Sequence, residues 1–153
     1  MADPVFYLRA VIIMAGVGLL LLPFGTDALN AALKPVRGPS GACRILAVVD
    51  GDTVKLWCAG RGVENARLLG YDSPEKFSPN CIAELVAAER AGWALRGMIL
   101  AATDLAVTRR GMDRYDRPLI LLRLDGADVA EAMIREGHGR AYEGGKRGGW
   151  CGV

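Results

Sequence analysis

Ile45-Leu46-Ala47-Val48-Val49-Asp50-Gly51-Asp52-Thr53-Val54-Lys55-Leu56-Trp57 reads as two strands closed by a tight hairpin. Apolar and β-branched residues on both sides favour extended backbone. Asp-Gly is the strongest two-residue hairpin signal, because a type I′ turn takes positive φ at both central positions. With Asp50 and Gly51 at the centre, Val49 faces Asp52. The same register sets Cys43 opposite Cys58, where directly opposed Cα atoms lie within disulfide range. Asp50 and Asp52 then stand on a rigid tip, although turn aspartates often serve only local geometry.

Downstream, Ala66-Arg67-Leu68-Leu69 reads as a strand whose one charge sits among apolar neighbours, where an unpaired guanidinium is costly. Asp72-Ser73-Pro74-Glu75 turns the chain, and Pro74 keeps Ser73 extended. A second basic turn, Arg114-Tyr115-Asp116-Arg117, precedes the apolar strand at 119–124. Arginine offers a planar fork that matches phosphate oxygens. Clustered carboxylates suit a hard divalent cation. Two forks, a carboxylate base and a cation site are the parts needed to hydrolyse a phosphodiester. The competing reading is a set of surface ion pairs.

The coarse pattern gives strands near 43–49, 52–58, 64–69, 104–108 and 118–124. A helix is expected near 81–102, with Ile82, Leu85, Val86, Trp93, Met98 and Ile99 as its apolar contributors. Asp128-Val129-Ala130-Glu131 resembles a capping box opening a second helix that ends near Gly137. Three strands, a helix, two strands and a helix predict an α+β, mainly β domain: a five-stranded OB-type barrel with about two helices, preceded by an N-terminal hydrophobic helix. Trp57 and Trp93 are expected in the core, and the sole histidine, His138, in solvent. Residues 144–149 read as a flexible tail.

Residues 10–24 are an unbroken apolar run, extended upstream around Arg9. That length suits a signal-peptide core or, with its extension, a membrane anchor. The expected organisation is an N-terminal signal or anchor (1–28), a Pro/Gly-rich linker (29–41) and one domain (42–153) on the exported side, periplasmic or extracellular. Residues 5–24 would provide the tether to the membrane if it is not cleaved. Four cysteines without a CxxC pair allow three pairings. The hairpin register selects Cys43–Cys58 and leaves Cys81 for Cys151, an oxidised pattern that agrees with export. A net charge of +2 gives no strong polybasic field, so any nucleic-acid contact would rest on a local patch.

Val49-Asp50-Gly51-Asp52-Thr53-Val54, then Arg67-Leu68-Leu69-Gly70-Tyr71-Asp72-Ser73-Pro74-Glu75, then Asp113-Arg114-Tyr115-Asp116-Arg117 resemble, in order, the motifs of the staphylococcal nuclease (thermonuclease) family. The resemblance covers roughly residues 42–142. It implies calcium held by Asp52, Asp72 and the Ser73 carbonyl, with Asp50 acting through water. It implies Glu75 as general base, with Arg67 and Arg117 on the scissile phosphate. Tyr115, Tyr142 and Arg114 are expected to contact substrate; Arg109 and Arg110 are weaker candidates for steering phosphate. The implied activity is calcium-dependent, low-specificity hydrolysis of DNA and RNA by a monomer, leaving 3′-phosphates. The alternative is a non-catalytic OB-type module that binds nucleic acid or another anionic partner. Three departures stand out: one extra residue between the second and third strands, no long C-terminal helix after Tyr142, and Asp116 where the family has glycine.

Overall fold

A computed structural model describes residues 4–38 and 41–152. Residues 1–3, 39–40 and 153, which include part of the expected N-terminal segment and linker, lie outside the described residues. Helix α1 spans Pro4–Leu33, followed by strands β1 Val36–Gly38, β2 Gly41–Asp50, β3 Thr53–Cys58, β4 Gly62–Leu68 and β5 Gly70–Asp72. Helix α2 Ile82–Ala101 leads to β6 Leu105–Met112, β7 Pro118–Leu124 and β8 Ala127–Asp128, then α3 Val129–Arg135 and β9 Arg140–Tyr142.

The main sheet runs β4-β3-β2-β1-β6-β7-β8, and an added β4–β7 pairing closes its first six strands into a barrel. Five strands were expected, and β1 is the sixth. It lies within the segment read as linker, pairing antiparallel with β2 and parallel with β6. Three residues bounded by prolines carry no periodicity, so the free edges of β2 and β6 decide its state. The barrel interior is apolar, built from Ile45, Val48, Val54, Leu56, Leu68, Leu105, Ile120 and Leu122.

The hairpin itself forms one residue later than expected. Asp50 pairs with Thr53, so Gly51 and Asp52 are central, and neither Asp50 nor Gly51 has positive φ. Two register shifts follow, between Val48 and Asp50 and between Ile45 and Ala47. Each spends one extra residue on β2, as β-bulges do. Together they restore the pairing of Cys43 with Cys58, which form a disulfide with Cα atoms 4.1 Å apart. The second disulfide joins Cys81 to Cys151.

Gly51 is required by space rather than by conformation. A Cβ there would lie 2.7 Å from the Ala91 Cβ and 2.9 Å from the Ser73 Cβ. The turn is therefore pressed between α2 and the residue after β5. Small side chains make this approach possible, and α2 packs through Ala91, Leu95 and Ile99. The larger residues expected to pack inward are mostly turned out: Ile82 is 81% exposed, and Leu85, Val86 and Trp93 are also exposed. Trp57 is likewise at the surface rather than in the core.

Helix α1 extends through the first residues of the expected linker and ends against the barrel. Its Asp27 and Asn30 are buried. Arg96 of α2 donates through Nε to Asp27 Oδ1 (3.2 Å) and through Nη2 to the Val48 carbonyl (2.5 Å). Arg44 donates to the Ala31 carbonyl at 2.5 Å, and Lys34 Nζ to the Leu100 carbonyl at 2.6 Å. Arg44 and Lys34 thus answer carbonyls left open at the ends of α1 and α2. The apolar side chains from Val5 to Leu22 remain exposed apart from a partly covered Ala10.

Replacing Gly51 with alanine should overpack the contact between the turn, α2 and Ser73. The expected loss is about 1–3 kcal/mol, measured by denaturant unfolding of the oxidised protein. Unchanged stability would show that this contact is looser than described.

Candidate functional site

Arg67 is the centre of the site. Strand β4 carries it inward beside Thr53, its partner across the β3–β4 ladder. Its Nη2 lies 2.7 Å from Asp52 Oδ2 and 3.4 Å from Asp72 Oδ1, and all three side chains are at most 10% exposed. Asp52 reaches this point because the turn centres on it; its second oxygen accepts from the Thr53 hydroxyl at 2.9 Å. Asp72 reaches it because β5 pairs with β9, with Asp72 opposite Arg140 and Gly70 opposite Tyr142. Gly70 stands at φ +95°, and a Cβ on it would approach the Ala130 Cβ at 2.8 Å. Ser73 follows directly, also buried.

Tyr71 locks the floor. It is almost wholly buried, and its hydroxyl donates to the Gly51 carbonyl at 2.6 Å, joining β5 to the hairpin tip. Burial, with the nearby Asp52 charge, pushes its pKa well up, so it remains a donor. Glu84 of α2, also buried, accepts from the backbone N–H of Asn80 (2.6 Å) and of Glu75 (3.5 Å), shaping the loop that presents Glu75. Neither residue stands out in the sequence, because their importance comes from contacts far along the chain.

A cleft of about 1100 Å³ opens above this floor. Its lining includes Asp50, Asp52, Arg67, Glu75, Arg117 and Arg147. Tyr115, Tyr142 and Arg114 also face it, so every expected catalytic and substrate-contacting side chain meets in one space. Asp72 and Ser73 lie beneath it, buried. Arg109, considered for phosphate steering, instead reaches across β7 to pair with Glu64 of β4, and neither it nor Arg110 lines the cleft.

Arg117 is held by Asp113. The Asp113 carboxylate accepts from the Arg117 backbone N–H at 2.9 Å, from its Nε at 2.7 Å and from the Tyr115 N–H at 2.8 Å. Burial works to raise the Asp113 pKa, but the Arg117 and Tyr115 hydrogen bonds outweigh it and hold the group low. An aspartate that opens a turn and bonds its own following backbone is a legible pattern; its role in aiming Arg117 was missed. The turn places Asp116 at φ 58°, the left-handed region where glycine is at ease and aspartate tolerated. The Tyr115 ring lies under the Arg114 guanidinium at 4.7 Å and near that of Arg117 at 5.6 Å.

Charge in the cleft is unevenly met. Asp52, Asp72 and Glu75 share the guanidinium groups of Arg67 and Arg147, and Asp50 adds a fourth carboxylate close enough to feel the charges of Asp52 and Glu75. Burial pushes the Asp50 carboxyl up to about 6; the Gly51 N–H opposes this, and the charges of Asp52 and Glu75 add to it. Burial also raises Asp72, against the pull of Arg147. Burial would lower the Arg147 pKa, but Asp72, Asp52 and Glu75 overcome it and the pKa rises. Buried oxygen donors with negative charge to spare fit a hard divalent cation. The separate group Cys81, Glu84 and Cys151 does not fit one, because both sulfurs are used in a disulfide.

Two substitutions test this electrostatic and backbone description. Because folding raises the Asp50 pKa from 3.8 to about 6, its ionised form opposes folding. That penalty is absent below pH 3.8, grows towards pH 6 and is complete above it. In chelator, Asp50→Asn should therefore raise Tm by a few degrees at pH 8, with the gain vanishing near pH 4; a gain independent of pH would contradict it. Asp116→Gly removes a side chain from left-handed backbone and should leave chemical stability equal or up to about 1 kcal/mol higher. A clear loss would mean that the Asp116 side chain has a stabilising contact.

No family model matches the chain. It is 29% identical over 98 residues, 64% of its length, to a protein of Staphylococcus hyicus described as "Thermonuclease", covering 57% of that protein. It is 25% identical over 101 residues, 66% of its length, to an "Uncharacterized endonuclease" of Haemophilus influenzae, covering 52% of it. The chain thus spans just over half the length of these curated relatives. Taken with the closed barrel and the three motifs meeting in one cleft, the similarity identifies the chain as staphylococcal nuclease-like.

Proposed function

We propose that the protein is a calcium-dependent nuclease that hydrolyses DNA and RNA with little sequence preference and leaves 3′-phosphates. The observation that carries this reading is the meeting of Glu75, Arg67 and Arg117 in one cleft above Asp52 and Asp72. Asp52, Asp72 and the Ser73 carbonyl would hold calcium, with Asp50 contributing through water. The bound ion supplies Lewis-acid polarisation of a phosphoryl oxygen.

The chain's own residues account for the remaining chemistry. Glu75 extends from a loop, partly exposed, and takes the proton of the attacking water. Arg67, fixed on a barrel strand, and Arg117, fixed by Asp113, neutralise charge growing on the phosphoryl oxygens. The exposed Tyr115 ring and Tyr142 at the far wall offer surfaces on which bases stack. None of these contacts reads a base edge, which agrees with low sequence preference.

The location proposed is the outer face of a membrane, periplasmic or extracellular, with residues 5–24 as an uncleaved anchor. Two observations support it. The disulfides belong to an oxidising compartment. The apolar helix runs on unbroken into residues tied to the folded domain, Asp27 among them through Arg96.

The full-length protein, purified in detergent, should degrade plasmid and single-stranded DNA with calcium, poorly with magnesium and not in excess chelator. Glu75→Gln should lower turnover by about 10²–10⁴-fold without changing the unfolding midpoint. Full activity in chelator, or a wild-type rate in the folded Glu75→Gln variant, would overturn the mechanism. Nucleic-acid binding without cleavage would favour the binding-module alternative.

A further inference from the structure

Of residues 144–149, read from the sequence as a flexible tail, Gly144, Gly145 and Arg147 line the cleft in the structure. The segment is fixed at both ends. On one side, the Tyr142 hydroxyl donates to the Gly145 carbonyl at 2.8 Å. On the other, Arg140 donates to the Gly149 carbonyl at 2.9 Å and stacks over the Trp150 ring at 4.0 Å, and Cys151 is bonded to Cys81. Between these ties the tail sends Arg147 into the cleft. Its Nε lies 3.0 Å from Asp72 Oδ1 and its Nη1 2.6 Å from Glu75 Oε1.

We propose that Arg147 is a tethered counter-cation: it sits on Asp72 and Glu75 in place of the divalent ion and sets the ion concentration at which the cleft is filled. This rests on the calcium reading given above. Asp72 Oδ1 is the oxygen that meets both Arg67 and Arg147. A carboxylate held by two guanidinium groups has little charge left for a divalent ion. The Glu75 oxygen bound by Arg147 is likewise occupied, and cannot accept a proton from water. Both oxygens lose this competitor when the Arg147 side chain moves off them.

The two arginines differ in how they are carried. Arg67 belongs to a closed barrel strand, whereas Arg147 belongs to a strand-free segment between glycines, of which Gly144 and Gly145 have φ of 114° and 97°. Its side chain is 35% exposed, so it can swing into solvent without unfolding the barrel. The ties at Tyr142 and Cys151 keep it close, so its local concentration stays high whatever the surroundings. A site available only part of the time binds more weakly by that fraction. A guanidinium resident about nine-tenths of the time weakens apparent ion binding about tenfold.

The test is calcium titration of the full-length, detergent-purified, oxidised protein by calorimetry, with no nucleic acid present. Arg147→Gln keeps the size and removes the charge, and should tighten calcium binding about tenfold. Arg147→Lys keeps the charge and should stay within about threefold of wild type. Unchanged or weaker binding by Arg147→Gln, with measurable binding by wild type, would overturn the proposal and leave the calcium reading intact. Equal tightening by glutamine and lysine would also overturn it, because charge would then not be what holds the ion off. If neither wild type nor Arg147→Gln binds calcium, the calcium reading itself fails and this proposal falls with it.

Discussion

The buried bridge from Arg67 to Asp52 and Asp72 is the constraint on which the site depends. One guanidinium, carried by a closed barrel strand, draws together the β2–β3 turn and the end of β5. Removing one partner of such a group leaves uncompensated charge away from water, which is strongly unfavourable. The arrangement therefore constrains backbone as well as charge. Gly51 leaves room for α2 and Ser73 to close over the turn, and Tyr71 binds the turn's carbonyl from below. A cation site made from these groups, as proposed, would be built into the barrel wall.

Around that fixed centre, the remaining cleft residues come from less rigid segments. Glu75 sits in a loop shaped by Glu84, Arg117 in a turn organised by Asp113, and Arg147 in a tail held by a disulfide. The division makes physical sense. Groups that share buried charge need positions fixed by strands, whereas groups that would meet the proposed long, flexible substrate gain from limited movement. The same contrast appears at the N-terminus, where the exposed apolar part of α1 continues into residues locked to the barrel by Arg96, Arg44 and Lys34. In the proposed membrane setting, the cleft would keep a defined orientation to the bilayer rather than hang from a loose linker.

Local sequence determined much of this protein. Alternating and apolar runs marked β2, β3, β4, β6 and β7, and the Asp128 cap and Gly137 bracketed α3, because these signals reside in neighbouring residues. The motifs around Asp52, Arg67, Glu75 and Arg117 marked the charged residues that meet in the cleft, since carboxylates and guanidinium groups are costly to bury without partners. Even the Cys43–Cys58 pairing was legible, although by an incomplete route: the turn lies one residue later and two bulges restore the register.

Only the tertiary structure decided the rest. Strand β1 exists because two barrel edges need a partner, which no three-residue pattern announces. The inward face of α2 is small rather than large because the turn presses against it, so Ala91 packs where Ile82 and Trp93 do not. The role of Arg147 depends on β9 pairing with β5 and on Cys151 reaching Cys81 across 70 residues of sequence. Sequence patterns report what a segment prefers and which chemistry it carries. Which distant segment supplies the opposing charge, the missing strand or the close-packed neighbour is set by closure of the barrel.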